Sequence, residues 1–373
     1  MNTFQVFSTD DARIECSLFS TEKGVQEAHL LIHVTQNEKS FQQQLQAVQT
    51  AFEVARQHWG TNMVPVMERY FLSDAVNQEA LVRQSAHHVC ALSIVQQPPL
   101  DGTKVALWVY GLANVTVENL TDGLFAARSE HFTHLWLSQA TACGDTIGEQ
   151  TRHILEHYVH QLKKHDCTLA SHCVRTWFFV DDIDHQYTGF VGARNSLFDR
   201  EGLTPDTHFI ASTGIGGRTG DVSTRVMMDA YAVYGMHPKQ ITHLYALDHL
   251  NRTSDYGVRF ERGTAIDYTD RRLVFISGTA SINHLGEVVA PGDIRQQTQR
   301  MWENVKALLA EARMDFTHLA QLLVYLRDPS DYAVVHKMFT QQFPSTPFII
   351  LLAPVCRPSW LIEMECVAVK SNE

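Results

Sequence analysis

Residues 296–328, QQTQRMWENVKALLAEARMDFTHLAQLLVYLRD, hold the arrangement of elements that decides the fold. The first half is polar with apolar residues three and four positions apart, which predicts an amphipathic helix lying on a sheet. The second half is an apolar run ending in Asp328 and predicts a buried strand. The segment RLVFISGTAS just before is rich in β-branched and aromatic residues and predicts another strand. The local pattern is therefore strand, helix, strand, Asp.

The same pattern occurs three times along the chain. Helices are predicted for QQQLQAVQTAFEVARQ from Gln42 and EQTRHILEHYVHQLKK from Glu149, and the strands that follow end in YFLSD and FFVDD. The paired positions are Gln43 and Asp74, Gln150 and Asp182, and Gln297 and Asp328, at separations of 31, 32 and 31 residues. Such constant spacing indicates an internal repeat. The sequence predicts an α+β fold of three tandem units, at residues 1–118, 119–240 and 241–373.

Composition narrows the classes of partner. Hydrophobic residues make up 45% of the 373, charged residues 19%, and no apolar run approaches the roughly 18 residues of a membrane helix. The first residues lack the features of a secretory signal, and the seven cysteines form no CxxC pair, so we expect reduced thiols and a cytoplasmic location. A net charge of -11 argues against nucleic acid. A small molecule is the expected partner.

The third unit resembles a known family. Its segments RLVFISGTASINHLGEV, NVKALLAEA, VYLRDPSDY and IEMECVAV are similar to the Rid superfamily, also called YjgF or endoribonuclease L-PSP. The resemblance implies chorismate-mutase-like units, which in that family assemble as trimers with sites at the subunit interfaces. Three copies in one chain would form a covalent pseudo-trimer, either monomeric or self-associating. The Rid deaminases carry a carboxylate-binding arginine after the proline of TPFIILLAP, but here its position is Ile349.

A second resemblance, to the chorismatases, assigns candidate site residues. VCRPSWLIEME in the third unit has the Cys-Arg pair and the glutamate seven residues after the Cys that chorismatases use, here Cys356, Arg357 and Glu363. QYTGFVGARN resembles the chorismatase segment that supplies a tyrosine and an arginine, Tyr187 and Arg194. The resemblance implies no metal or organic cofactor. The segment ASTGIGG shares this resemblance, and its Thr213 and Gly216 are predicted to contact substrate, as is Ser277 of RLVFISGTAS.

The chemistry also follows from the residues themselves. Alternation along LIEMECVAV places Glu363 and Glu365 on one face of a strand, where each carboxylate raises the pKa of the other. Apolar walls such as Trp360 would raise the pKa of Glu363 further, as a general acid requires. Arg357 and Arg194 are the predicted cations, because a guanidinium group grips a carboxylate through two hydrogen bonds.

These observations lead to one preferred function and two alternatives. The preferred one is chorismatase-like cleavage or rearrangement of a small carboxylated metabolite by acid catalysis from Glu363, with Cys356 indicating the hydroxybenzoate-forming branch. One alternative is an enamine or imine deaminase of the Rid type. The other is a ligand-binding or RNA-related protein without catalysis. If the two arginines had no functional role, Arg357 would be an ordinary surface residue and Arg194 would pair with Asp199 along its helix.

Overall fold

A computed structural model describes residues 2–59, 62–87, 89–121 and 123–372. They form three six-stranded sheets that follow one another along the chain. In each sheet one edge strand pairs in parallel with its neighbour and the remaining pairs are antiparallel. The expectation of an α+β fold with three tandem units is confirmed. Each unit is defined by its sheet, and the domain ends predicted from the sequence remain predictions.

The first unit contains six strands and two helices, with strand order β1-β2-β3-β6-β4-β5. Its elements are β1 (Asn2–Ser8), β2 (Ala12–Thr21), β3 (Gly24–Val34), α1 (Phe41–His58), β4 (Met63–Leu72), α2 (Ala75–Ser85), β5 (Ala91–Gln96) and β6 (Val105–Ala113).

The second unit has the same topology, with strand order β11-β10-β12-β9-β8-β7. Its elements are β7 (Thr116–Thr121), β8 (Leu124–Arg128), β9 (Thr133–Ala140), α3 (Ile147–Lys163), α4 (Leu169–His172), β10 (Cys173–Val180), α5 (Ile183–Arg200), β11 (Ala211–Gly216) and β12 (Val226–Tyr234).

The third unit repeats the topology again, with strand order β13-β14-β15-β18-β16-β17. Its elements are β13 (Ile241–Leu244), β14 (Gly263–Asp267), β15 (Arg271–Ala280), α6 (Ile294–Glu311), β16 (Leu319–Leu326), α7 (Tyr332–Gln342), β17 (Phe348–Leu352) and β18 (Ile362–Ser371). Short 3-10 helices occupy Pro238–Gln240, Thr253–Tyr256, Phe316–His318 and Pro329–Asp331.

The long helix of each unit begins at an N-cap whose side chain accepts a hydrogen bond from the backbone three residues later. These caps are Ser40, Thr146 and Asp293. Each cap satisfies an N–H that the first helical turn leaves without a partner. The sequence therefore marks the start of all three helices in the same way.

A buried glutamine follows each cap and ties two loops together. The side chain of Gln297 donates to Ala290 O and Ser359 O and accepts from Leu361 N. Gln150 and Gln44 make the corresponding bonds in the other units. The residue of the first unit that is equivalent to Gln150 and Gln297 is thus Gln44, whereas the sequence spacing predicts Gln43. Gln43 is exposed and belongs to the cap of Ser40, so the alignment was wrong by one residue there.

The inner faces of the three sheets share one apolar cluster, which also includes buried residues of α6 and α7. Trp108 of the first unit and Trp177 of the second have ring centroids 6.4 Å apart, and Trp177 lies 6.3 Å from Phe275 of the third. Isolated β-bridges link every pair of units: Gln96 to Arg218, Ile215 to Val355, and Pro99 to Leu351. The units therefore close a ring, as the pseudo-trimer prediction requires. In the described part of the chain no helix is long and apolar enough to cross a membrane.

Candidate active site between the second and third units

A cavity lies at the junction of the second and third units. The second unit contributes side chains from α5 and β11. The third contributes the loop between β13 and β14, the end of β15, the loop before β18 and the first residues of β18. The ring closure described above brings these segments together, since β11 is the edge strand that meets β15 of the next unit. Of the eight residues predicted for the site, the six that line this cavity are Glu363, Cys356, Arg357, Arg194, Tyr187 and Thr213.

Glu363 occupies a central strand rather than an exposed one. β18 runs between β15 and β16, and Glu363 is opposite Ala280 on one side and Tyr325 on the other. Only 4% of the residue is exposed. Burial, reinforced by the charge of Glu365, raises the pKa of Glu363 to about 8, and the cations Arg262 and Arg175 oppose this. The carboxyl group is therefore mostly in its acid form at neutral pH.

Glu365, two residues along the same face, lies in a very different environment. Its carboxylate accepts hydrogen bonds from Arg175 Nη2 at 2.7 Å and from Trp177 Nε1 at 2.8 Å, and a third from Thr213 Oγ1. All three donors belong to the second unit. Three donors, one of them a guanidinium, fix the orientation of the Glu365 carboxylate. The two glutamates thus differ: Glu365 forms an ion pair with Arg175, whereas Glu363 has a raised pKa.

Gly278 gives the Glu363 carboxyl group its space. A Cβ at position 278 would overlap Glu363 Oε1 and lie 2.8 Å from its Cδ, so no side chain is tolerated there while Glu363 keeps this position. The Gly278 N–H donates to Thr213 Oγ1 at 2.9 Å, which links β15 of the third unit to β11 of the second. The acid therefore packs directly against the backbone at the junction.

Arg194 points into the cavity from α5. The residue is 2% exposed, its guanidinium lies 5.0 Å from the ring of Phe190, and its Nε and Nη2 atoms have no hydrogen-bond partner. It does not pair with Asp199, because that carboxylate is held by Arg259 at 3.1 Å. The structure thus contradicts the simple alternative of a helix-surface ion pair. A buried cation without an anion is costly unless a ligand supplies one.

Two further arginines line the same space. The Arg357 guanidinium lies between the rings of Tyr256 and Trp360, 4.9 Å from each, so it is half-buried rather than a free surface group. Arg262 is 4% exposed, and its Nη2 donates only to the carbonyl and side-chain oxygens of Asn251, at 3.2 Å. Sequence reasoning missed Arg262 and Tyr256. Both lie in the long loop between β13 and β14, where no periodicity or spacing in the sequence marks them.

Cys356 and Tyr187 form the wall between Arg194 and Glu363. Burial, reinforced by the charge of Glu363, raises the pKa of the Cys356 thiol to about 12. Burial also raises the pKa of Tyr187 well above its usual value. Both groups are therefore neutral at physiological pH, and Cys356 acts there as a thiol rather than as a thiolate nucleophile.

The remaining two predicted residues lie elsewhere. Ser277 is fully buried, where its Oγ donates to Glu261 O at 2.6 Å and accepts from Ser212 N at 2.9 Å. Gly216 packs against Pro354 and donates its N–H to Pro354 O at 2.9 Å. Neither lines the cavity. Both join the second unit to the third instead, beside the site rather than in it.

Comparison with known proteins agrees with this architecture. The family model described as Endoribonuclease L-PSP matches residues 263–370, within the third unit. A RutC family protein of Pyrococcus abyssi is 35% identical over 101 residues, which cover 26% of this chain and 79% of that protein. The chain belongs to the Rid superfamily. The 3-aminoacrylate deaminase RutC of Acinetobacter baylyi is 27% identical over 99 residues, 26% of this chain and 78% of that enzyme.

One solved structure extends over most of this Rid chain. A chorismatase crystal structure superimposes on this chain with a TM-score of 0.65 and 19% sequence identity. The match covers 82% of this chain and 92% of the chorismatase chain. At that identity the likeness is one of fold. The three-unit ring is therefore an arrangement that this Rid protein shares with a chorismatase, whereas the RutC-type relative matches about one unit.

Proposed function

We propose that this protein is an enzyme that acts on a small metabolite with at least two carboxylates, by proton donation from Glu363. One observation carries the proposal: a buried carboxyl group, with its pKa raised to about 8, shares its cavity with three guanidinium groups. Among the described residues, none of these three arginines forms an ion pair with a carboxylate; they are Arg194, Arg262 and Arg357. The cavity is complementary to an anion that also needs a proton.

Chorismate is the leading candidate for the substrate. It carries two carboxylates and an enolpyruvyl ether, so it needs cations at two places and an acid at the ether. The arginines would hold the carboxylates and orient the ether toward Glu363, which lowers the entropic cost of reaching the reactive arrangement. The shared fold with a chorismatase supports this choice of candidate.

In this proposal Glu363 donates its proton to the terminal methylene carbon of the enol ether. The resulting oxocarbenium ion has two fates. Water can add to it and form a hemiketal. The bond between the hemiketal carbon and the ether oxygen then breaks, which gives pyruvate and leaves that oxygen on the ring as a hydroxyl of a dihydrodiol. Alternatively, the bond between the ring carbon and the ether oxygen breaks and pyruvate leaves with that oxygen, after which the ring cation loses a proton to the Glu363 carboxylate and becomes a hydroxybenzoate. The neutral Cys356 thiol would lie beside the substrate ring and restrict the positions from which water can attack.

The test is to incubate the purified chain with chorismate and to measure pyruvate together with the ring product. We expect pyruvate release that Glu363→Gln abolishes, because the amide keeps the shape and lacks the acid. Glu303→Gln, on the exposed face of α6, is the matched control and should leave the rate unchanged. Intact chorismate after prolonged incubation with the unsubstituted protein would refute the proposed reaction.

A second candidate is hydrolysis of an enamine or imine. The third unit is 27% identical to the A. baylyi deaminase RutC, and a 2-iminobutanoate/2-iminopropanoate deaminase of Bos taurus is 27% identical over 75 residues, 20% of this chain and 55% of that enzyme. Against it, the register position of Ile349 is occupied in the second unit by Thr213, so the cavity lacks an arginine on that strand. Release of ammonia from 2-aminoacrylate without consumption of chorismate would favour the deaminase. Binding of chorismate without either reaction would leave a ligand-binding protein.

A further inference from the structure

Glu363 and Glu365 are neighbours on one strand face, yet their environments are different. No hydrogen bond from a described residue reaches the Glu363 carboxyl group, whereas Glu365 has three donors from the second unit. Both residues are nearly fully buried, so their charges interact without the screening that water provides. An anion fixed at position 365 therefore acts directly on the protonation of position 363.

A chain of contacts also links the two glutamates mechanically. Thr213 Oγ1 donates to Glu365 and accepts from the Gly278 N–H at 2.9 Å. Gly278 is the residue against which the Glu363 carboxyl group packs. The position of Glu365 thus sets the position of Thr213, which sets the backbone under Glu363.

We infer that Glu365 is a positioning residue for the acid of this site: its carboxylate, fixed by Arg175, Trp177 and Thr213, keeps the Glu363 carboxyl group protonated and in place over Gly278. This inference rests on the proposed function, in which Glu363 is the proton donor. The inference adds a second contribution of the second unit to catalysis. Besides supplying side chains that contact the substrate, this unit fixes the carboxylate of Glu365, which belongs to the third unit.

Other charged and titratable groups also face Glu363. Arg262 precedes β14, Arg175 projects from β10, Tyr325 lies on the neighbouring strand β16, and Cys356 lies in the loop before β18. Tyr325 and Cys356 are neutral near pH 7 because burial raises the pKa of each. The two arginines favour the charged form of Glu363, and Glu365 is the group that opposes them. Without Glu365, burial would still favour the protonated form of Glu363 but both arginines would favour its loss of the proton, so the pKa of Glu363 should fall.

The experiment measures the ionisation of Glu363 directly, without substrate. Difference infrared titration identifies its carboxylic acid band as the one missing in Glu363→Gln. In Glu365→Gln we expect the pH at which this band disappears to fall by on the order of one pH unit or more. The pH above which kcat/KM declines should fall by the same amount. Glu365→Asp keeps the charge and is the control, with a much smaller shift.

A second variant guards against a protein that does not fold. Arg175→Met with Glu365→Gln removes both members of the buried ion pair, a replacement that proteins often tolerate. Because the influence of Glu365 on Glu363 exceeds that of Arg175, the band should still disappear at lower pH than in the unsubstituted protein. An unchanged midpoint in either folded variant would overturn the inference. If the midpoint shifts but chorismate is never consumed, the positioning role stands and the proposed reaction fails.

Discussion

The junction between the second and third units and the junction between the first and second units use the same strand positions differently. By the register of the sheets, Met227 and Asp229 on β12 correspond to Glu363 and Glu365 on β18. Asp229 pairs with Arg69 of the first unit at 2.8 Å, both fully buried. Glu365 pairs with Arg175 of the second unit in the same way, so the junctions differ at the other position, where Met227 provides no carboxyl group in place of Glu363.

The third junction, between the third and first units, also contains paired charges. A small cavity there is lined by Arg13, His33 and Asp101 together with α7 and β17. Its cations already have internal anions, since Glu15 pairs with Arg13 and His33, and Asp101 lies 3.9 Å from His33. Only the second–third junction leaves guanidinium groups without a carboxylate in the described structure. The site is thus distinguished from the other two junctions by cations that the chain itself leaves unpaired.

The largest effect expected from this difference between junctions is on catalysis. Glu363→Gln should lower kcat for chorismate by about 100- to 10,000-fold, the range for loss of a general acid. Met227→Ala, at the corresponding position of the first–second junction, should leave kcat nearly unchanged. Steady-state kinetics on both variants test this. Similar losses in both would show that the junctions do not differ in the proposed way.

The next largest effect is on stability, and it should differ between substitutions of Arg69 and of Arg194. Arg69→Met should lower the free energy of unfolding by about 3–5 kcal/mol, because it leaves the Asp229 charge buried without its partner. Arg194→Met removes a cation with no internal anion, so we expect no loss of stability. It should instead lower kcat/KM roughly 10- to 100-fold, the value of a charged hydrogen bond to substrate. Urea unfolding measures the stability of both variants, and steady-state kinetics measures their kcat/KM. An equal loss of stability in the two variants would contradict the prediction.

The sequence predicted much of this site because its signals are local. The order of elements, the triplication and the placement of Cys356 and Glu363 opposite Arg194 follow from spacing and from resemblance. Arg262 could not be found in that way, since it reaches the cavity only through the path of the β13–β14 loop. Ser277 was predicted to contact substrate, but in the structure its Oγ donates to Glu261 O. Which side of a strand meets a cavity depends on how units dock, and a single unit's pattern does not contain that information.

A pH dependence of activity is expected at the second–third junction. The pKa of Glu363 is raised to about 8, and its acid form is the active one in the proposed mechanism. We therefore expect kcat/KM to be level below about pH 7 and to fall as pH rises through about 8. A profile that rises over this interval would mean that the carboxylate, acting as a base, is the working form.

The smallest effect is expected at the third–first junction. Burial lowers the pKa of His33, but the nearby carboxylates of Asp101 and Glu15, 3.9 and 3.6 Å from its ring nitrogens, outweigh burial and raise this pKa to about 9. Because the folded-state pKa lies above the usual 6.5, this contribution to stability is complete below pH 6.5 and disappears as pH rises through about 9. It should amount to on the order of 1–3 kcal/mol. Thermal unfolding between pH 6 and 10 measures it, and His33→Gln should remove this part of the pH dependence.

The shared inner cluster has a consequence for how such a chain can change. Since the sheets bury Trp108, Trp177 and Phe275 against one another, the first unit covers apolar surface of both units that build the cavity. The first unit contributes no residue to the lining of the cavity between the other two. Its deletion would nevertheless expose their apolar interior to water, so the fold of the two units that form the cavity depends on the first.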